Sequence, residues 1–128
     1  MCDNMKLIEI LSPDFTFTDD RGTLTQIVHG GFSQVNAVFT KAGKIRGNFH
    51  YHEHTKELFF VISGKIQFTA EYEGRKEEYI FSDGDMFLVN ENVRHHFLYL
   101  EDTYLVALYT TPVEKEDGTK DIIQDEDI

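Results

Sequence analysis

Cysteine is almost missing from this chain: Cys2 is the single example in 128 residues, so no internal disulfide framework is possible. No apolar run is long enough to cross a bilayer, and no basic stretch followed by an apolar one leads the sequence. A cytoplasmic protein without a membrane span is therefore expected. Cations are scarce, 12 Lys and Arg against 23 Asp and Glu, for a formal net charge of −11. That balance argues against nucleic acid as a partner, because phosphate recognition needs a basic face. Helical periodicity is also missing: no stretch of ten or more residues repeats its apolar positions at helical spacing. Nor is there an internal repeat, a low-complexity linker or a second-domain boundary.

What the sequence does contain is a supply of aromatic side chains, eleven Phe and six Tyr, within a composition that is 41% hydrophobic. Such a chain folds around a core. Short alternating or apolar runs predict strands over 6–11, 23–28, 34–40, 46–52, 57–63, 65–72, 77–81, 86–89, 95–100 and 103–111. Turn clusters such as Ser12-Pro13-Asp14, Asp19-Asp20-Arg21-Gly22, Ser63-Gly64 and Ser82-Asp83-Gly84-Asp85 punctuate them. Many short strands at regular spacing predict an all-β sandwich or barrel, with Phe59, Val61, Phe68, Phe87 and Leu105 in its core. Residues 1–113 read as one domain. Residues 114–128 hold seven acids and two lysines, and read as a solvated, partly mobile tail that could be removed with little loss of stability. Its Ile122-Ile123 pair is the one feature that would dock, on a partner subunit.

Three of the six histidines fall within five residues, at His50, His52 and His54. A strand would turn His50 and His52 to one face, and Glu57 opens the next strand close enough to return beside them. Downstream, "GDMFLVNENVRHHF" (84–97) brings a turn, a strand, a second turn and His95. Imidazoles and a carboxylate converging inside a β-barrel suit a divalent transition metal, Zn, Fe, Mn or Ni, with His50, His52, Glu57 and His95 as ligands. Held without metal, the same residues would form a buried polar network. His54 is expected on the turn before Glu57, His96 facing away from His95, and His29 in a loop. Arg21, Lys44, Arg46 and Arg94 are the candidate anion partners, and Arg46, beside the histidine strand, leads them. Tyr99 shares parity with His95 and Phe97 and is a candidate acid or hydrogen-bond donor.

These two clusters resemble the motifs of the cupin superfamily, an RmlC-like double-sheet jelly roll. Its first motif ends in H-x-H, three or four residues, E, six residues and G, which His50, His52, Glu57 and Gly64 match. The leading glycine is out of register, since Gly43 stands six residues before His50 where five are usual. The second motif runs G, five residues, P-x-G, two residues, H. Gly84, Asn90, Asn92 and His95 keep its spacing with asparagines for the proline and the glycine. A narrower resemblance covers residues 19–110. "DDRGTLTQI" (19–27) and "RGNFHYHEHTKELFFVISGKI" (46–66) are similar to the nucleotide-sugar 3,4-ketoisomerases and polysaccharide-biosynthesis cupins, whose signature is D-x-R-G-x-L and then R-G-x-H-x-H. Here Asn48-Phe49 puts one extra residue between Gly47 and His50.

The resemblance implies a homodimeric isomerase or epimerase acting on a carbohydrate, a nucleotide-linked keto-deoxysugar, through enolisation. His50, His52, Arg46 and Tyr99 would be its catalytic residues. A metal would polarise the carbonyl; without one, His50 and His52 would be the acid/base pair. The alternatives in the same barrel are a metal-dependent oxygenase and a non-catalytic sugar-binding sensor.

Overall fold

A computed structural model describes residues 7–114 and 116–123 of the chain. Cys2, Lys115, Asp125, Glu126 and Asp127 lie outside the described residues, as does the start of the strand expected at residue 6. Eleven strands make up the described chain: β1 (Ile8–Leu11), β2 (Phe15–Asp19), β3 (Gly22–Gln26), β4 (Gln34–Thr40), β5 (Ile45–His50), β6 (Glu57–Ser63), β7 (Lys65–Tyr72), β8 (Arg75–Ser82), β9 (Met86–Val89), β10 (Arg94–Tyr99) and β11 (Thr103–Tyr109). All pair antiparallel. One sheet runs β1-β9-β6-β11-β4 and the facing sheet β5-β10-β7-β8, with β2-β3 as a separate hairpin. The chain is an all-β jelly roll, as expected.

Four strands, β4, β6, β7 and β9, have the limits expected from their alternation. β2 was not expected at all. Its Phe-Thr-Phe-Thr alternation is strand-like, but it lies between two turn clusters and, among the described residues, pairs only with β3, and Phe15 and Phe17 stay exposed. The other large difference is at β5, expected over 46–52 but ending at His50. Tyr51 makes only an isolated bridge, to Ile123, and His52 is outside any strand. The two histidines therefore do not share a face by simple alternation.

The cause is a bulge. Arg46 pairs with Phe97 and His50 with His95, so three residues of β5 oppose one of β10. Gly47, Asn48 and Phe49 all take positive φ, 89°, 42° and 63°. That backbone suits glycine and asparagine but strains phenylalanine. Part of the strain is offset where the Phe49 ring stacks on His96, centroids 4.7 Å apart. A side chain at Gly47 is not tolerated, because its Cβ would lie 2.8 Å from the carbonyl oxygen of His95. In unbroken register Asn48, not His50, would oppose His95. The bulge thus holds two residues more than the strand it faces, and it delivers His50 to the site.

The core lies between the two large sheets and is aromatic at its centre. Phe68, Phe81 and Phe87 pack with Phe59 and Phe97, the Phe81 and Phe87 rings stacked 4.1 Å apart. All five expected core residues are buried. Gly64, in the β6–β7 turn, sits at φ 125° with its missing Cβ directed 2.3 Å from Thr103 Oγ1 and 2.7 Å from the Asp102 carbonyl. Gly64→Ala should lower unfolding stability by about 2 kcal/mol through combined strain and overpacking, with chemical denaturation as the measurement. An unchanged midpoint would show that the turn can move aside.

Candidate active site

Both sheets contribute to one cavity of about 430 Å³. The four-stranded sheet supplies Arg46 and His50 from β5 and His95 and Tyr99 from β10. The five-stranded sheet supplies Glu57, Asn36 and Tyr109 from β6, β4 and β11. His50, His52, Glu57 and His95 come together as expected, one donor atom from each lying within 4.8 Å of the others. Glu57, His52 and His95 are nearly sealed from solvent, while His50 is half-buried and faces the cavity. His52 does not line the cavity; it stands behind the other three.

Each imidazole is held by a backbone carbonyl. His95 Nδ1 donates to Val93 at 3.1 Å, His52 Nδ1 donates to Asp121, and the His50 ring is bonded to the backbone of Gly47. A carbonyl only accepts, so the hydrogen on Nδ1 of His52 and of His95 is fixed, and Nε2 is left for the cluster. His52 Nε2 and His95 Nε2 lie 2.6 and 3.1 Å from the same carboxylate oxygen, Glu57 Oε1. His52 Nε2 and Glu57 Oε1 are nevertheless buried without a hydrogen-bond partner: with its hydrogen on Nδ1, a neutral His52 presents a lone pair to the carboxylate. Two orphaned buried donor atoms facing each other are what a bound cation would satisfy, and the three nitrogens and one oxygen suit a divalent transition metal.

Electrostatics separate the members. Burial, with the neighbouring His95 and His52 rings, pushes His50 down to about 4, so it is a neutral base at pH 7. Burial opposes a charge on His52 as well, but the Glu57 carboxylate and the Asp121 carbonyl outweigh it and raise its pKa above the ordinary imidazole value. Burial would favour a neutral Glu57, yet the His95 and His52 rings hold it ionised well below the usual carboxylate range. Tyr109 donates to that carboxylate and is also bonded to Asn36; burial and the Glu57 charge raise its pKa.

The remaining expected residues separate cleanly. Arg46 is exposed at the cavity mouth, its Nε donating to Thr40 Oγ1 at 2.7 Å. Tyr99 lines the wall but is 2% exposed, and its hydroxyl is bonded to Thr40. Lys44 lies with Lys41 in a shallow pocket that adjoins the cavity through Arg46. Arg94 stacks over Tyr51, and Arg21 is paired with Asp19 in the β2–β3 turn, 2.5 Å away; neither lines the cavity. His54 is exposed on its turn, His96 stacks outward on Phe49, and His29 bonds Asp14 in a loop.

Three residues escaped the sequence reading. Tyr109 and Asn36 lie on expected strands, and only the register that sets Tyr109 opposite Glu57 brings them in. Asp121 belongs to the segment expected to be solvated, yet it is 3% exposed, and Ile123 pairs with Tyr51 of the same chain. Residues 121–123 return to the barrel, where the turn after His52 offers its amides to the Asp121 carboxylate.

A model of the cupin domain matches residues 38–111, more than half of the chain. No curated protein sequence matches it. Among solved structures, the TDP-quinovose 3,4-ketoisomerase WlaRB of Campylobacter jejuni superposes with a TM-score of 0.80 at 17% identity, over 96% of this chain and 96% of that one. A variant of the 3,4-ketoisomerase QdtA of Thermoanaerobacterium thermosaccharolyticum, in complex with TDP-4-keto-6-deoxyglucose, gives 0.80 at 14% identity, over 96% and 91%. A dTDP-4-dehydrorhamnose 3,5-epimerase of Sulfolobus tokodaii gives 0.71 at 21% identity, over 84% and 72%. At these identities the likeness establishes a shared fold. The resemblance read from the two histidine motifs is met at that level.

Proposed function

We propose, from the premise that the chain belongs to the cupin domain family, that it is an isomerase or epimerase that enolises a nucleotide-linked keto-deoxysugar. The observation that carries this reading is His50: a neutral imidazole at the wall of an open cavity, beside an ionised carboxylate. His50 would take the proton from the carbon next to the sugar carbonyl. The electron pair left behind forms the C=C bond of an enediol as the carbonyl oxygen gains negative charge. Glu57 offsets the positive charge on the His50 ring while the proton is held there. Return of the proton to the former carbonyl carbon, with the hydroxyl hydrogen of the deprotonated carbon passing to the former carbonyl oxygen, completes a shift of the carbonyl; delivery of a proton to the opposite face of the first carbon by a second donor completes an epimerisation.

The substrate oxygen needs donors fixed before the charge develops. The Tyr109 hydrogen is already given to Glu57, which leaves the Asn36 side-chain amide as a cavity group able to serve, and the half-open mouth near Arg46 suits the nucleotide diphosphate. Tyr99 would shape the wall. Were a divalent metal bound instead, His50, His52, Glu57 and His95 would be its ligands and it would supply polarisation of the substrate carbonyl; His50 would then serve as a ligand and not as the proton acceptor. A cytoplasmic location and a homodimer belong to the same proposal. Among the described residues no helix is long and apolar enough to cross a membrane. Apolar side chains exposed on β1, β4 and the β2–β3 hairpin, such as Ile10, Phe17 and Val35, support a self-association surface.

The test is incubation with TDP-4-keto-6-deoxyglucose in D₂O. Deuterium appearing at a carbon next to the carbonyl supports enolisation. No exchange with this or other keto-sugar nucleotides, together with oxygen uptake on another substrate, would move the assignment to an oxygenase. Arg46→Ala is expected to raise KM about tenfold or more with kcat within a few-fold, the pattern of lost uniform binding. An equal fall in kcat would put Arg46 in the chemical step.

A further inference from the structure

We infer that residues 120–123 form a strap that positions His52, with Asp121 as its latch. This rests on the site as read above, but its deciding measurement does not depend on the reaction. Asp121 is buried in an acidic segment whose neighbours 116–120 are all exposed, so something specific holds it down. Its carboxylate accepts from the amides of Glu53 and His54, both at 2.9 Å, and from Thr55 Oγ1 at 2.8 Å. Those three residues, with Lys56, form the turn that joins His52 to Glu57. Its backbone carbonyl takes the Nδ1 hydrogen of His52. One residue therefore grips both the ring of His52 and the turn that sets the distance from His52 to Glu57.

The segment is fastened on both sides of the latch. Asp121 N donates to Val113 O at 2.8 Å, and Tyr51 and Ile123 exchange two amide bonds of 2.9 Å. A bridge between Glu114 and Lys120 closes the intervening loop. With the strap in place Nε2 of His52 can only face Glu57. With it removed, the ring regains rotation, and the turn 53–55 loses the acceptor for two amides and a hydroxyl. Groups that orient a metal-binding or catalytic imidazole in this way typically matter by 10–100-fold. His52 itself does not line the cavity, so the strap acts on the site through His52 and Glu57 and touches no substrate.

The experiment compares wild type with Asp121→Ala by proton NMR of the metal-free full chain, and by Co²⁺ titration. Wild type is expected to show a downfield His52 Nδ1–H signal protected from solvent exchange. In Asp121→Ala that signal should be lost, and Co²⁺ should bind 10–100-fold more weakly. If the alanine variant does not fold, Ile123→Pro, which deletes one of the Tyr51 bonds but keeps the carboxylate, takes its place with the same direction expected. Protection of the Nδ1 hydrogen unchanged in a folded variant overturns the proposal. So does unchanged Co²⁺ affinity in a variant whose Tyr51 amide has become exchangeable. Absence of Co²⁺ binding in wild type would count against the metal reading alone, and the NMR comparison would still decide the strap.

Discussion

His50→Asn is expected to lower solvent-deuterium exchange into a keto-sugar nucleotide by 10²–10⁴-fold while leaving the fold intact, since a positioned proton acceptor contributes on that scale. Asparagine keeps a polar side chain of similar reach but cannot take a proton at neutral pH. The structural cost is small, because His50 is half-buried and already neutral. The same variant has a second, independent signature in the pH dependence of stability. In the unfolded chain the imidazole takes its proton near the ordinary value of 6.5, whereas in the fold it does so only near 4. Between those values the unfolded state binds more protons, so wild-type stability falls as pH is lowered through that window. After allowance for solvent screening the loss is about 1–2 kcal/mol. His50→Asn should lack this component, so its melting temperature should approach or pass wild type between pH 6.5 and 4. A variant that loses exchange without this crossing would have lost it through a general disturbance of the barrel.

That residue also shows where the sequence was sufficient and where it was not. The spacing of His50, His52, Glu57 and His95 was enough to bring them together, because Glu57 heads a strand and His95 sits in the middle of its sheet. The mechanism of convergence was not legible. Alternation along an intact strand would explain His50 and His52, but the strand stops at His50 and is reset by the 47–49 bulge. Gly47-Asn48 is a local signal for left-handed backbone, but the positive φ at Phe49 is set by the pairing with β10 and no local propensity announces it. The acidic segment failed for a complementary reason. Composition averages over residues, and one aspartate among seven acids found three donors in the turn after His52, 66 to 68 positions away. Tyr109 is a third kind: its strand was legible, but its position opposite Glu57 depends on register.

Metal loading is the other large expected effect. Purified protein should carry a divalent transition metal, and adding Zn, Mn, Fe or Ni to a chelated sample at one hundred times the dissociation constant should stabilise it by about 2.7 kcal/mol, or about 10 °C in Tm for a chain of this size. The buried orphans His52 Nε2 and Glu57 Oε1 motivate this, since a cation between them would satisfy both. The pH dependence follows from the protonation of the four groups. Glu57 is ionised far below neutrality and His50 is already neutral at pH 7, so neither needs to lose a proton. His52, whose pKa is raised by Glu57 and Asp121, must lose one. Affinity should therefore climb as pH rises towards and through the raised His52 value, by about tenfold per pH unit while that ring is mostly protonated. His52→Ala removes a ligand and also leaves Glu57 with one counter-charge fewer, so a lower Tm in that variant is expected on either reading. The discriminating result is the loss of the metal-induced rise in Tm. Elemental analysis without transition metal, together with no rise in Tm for wild type across these ions, would assign the cluster to proton transfer, with burial and the His95 and His52 rings keeping His50 neutral.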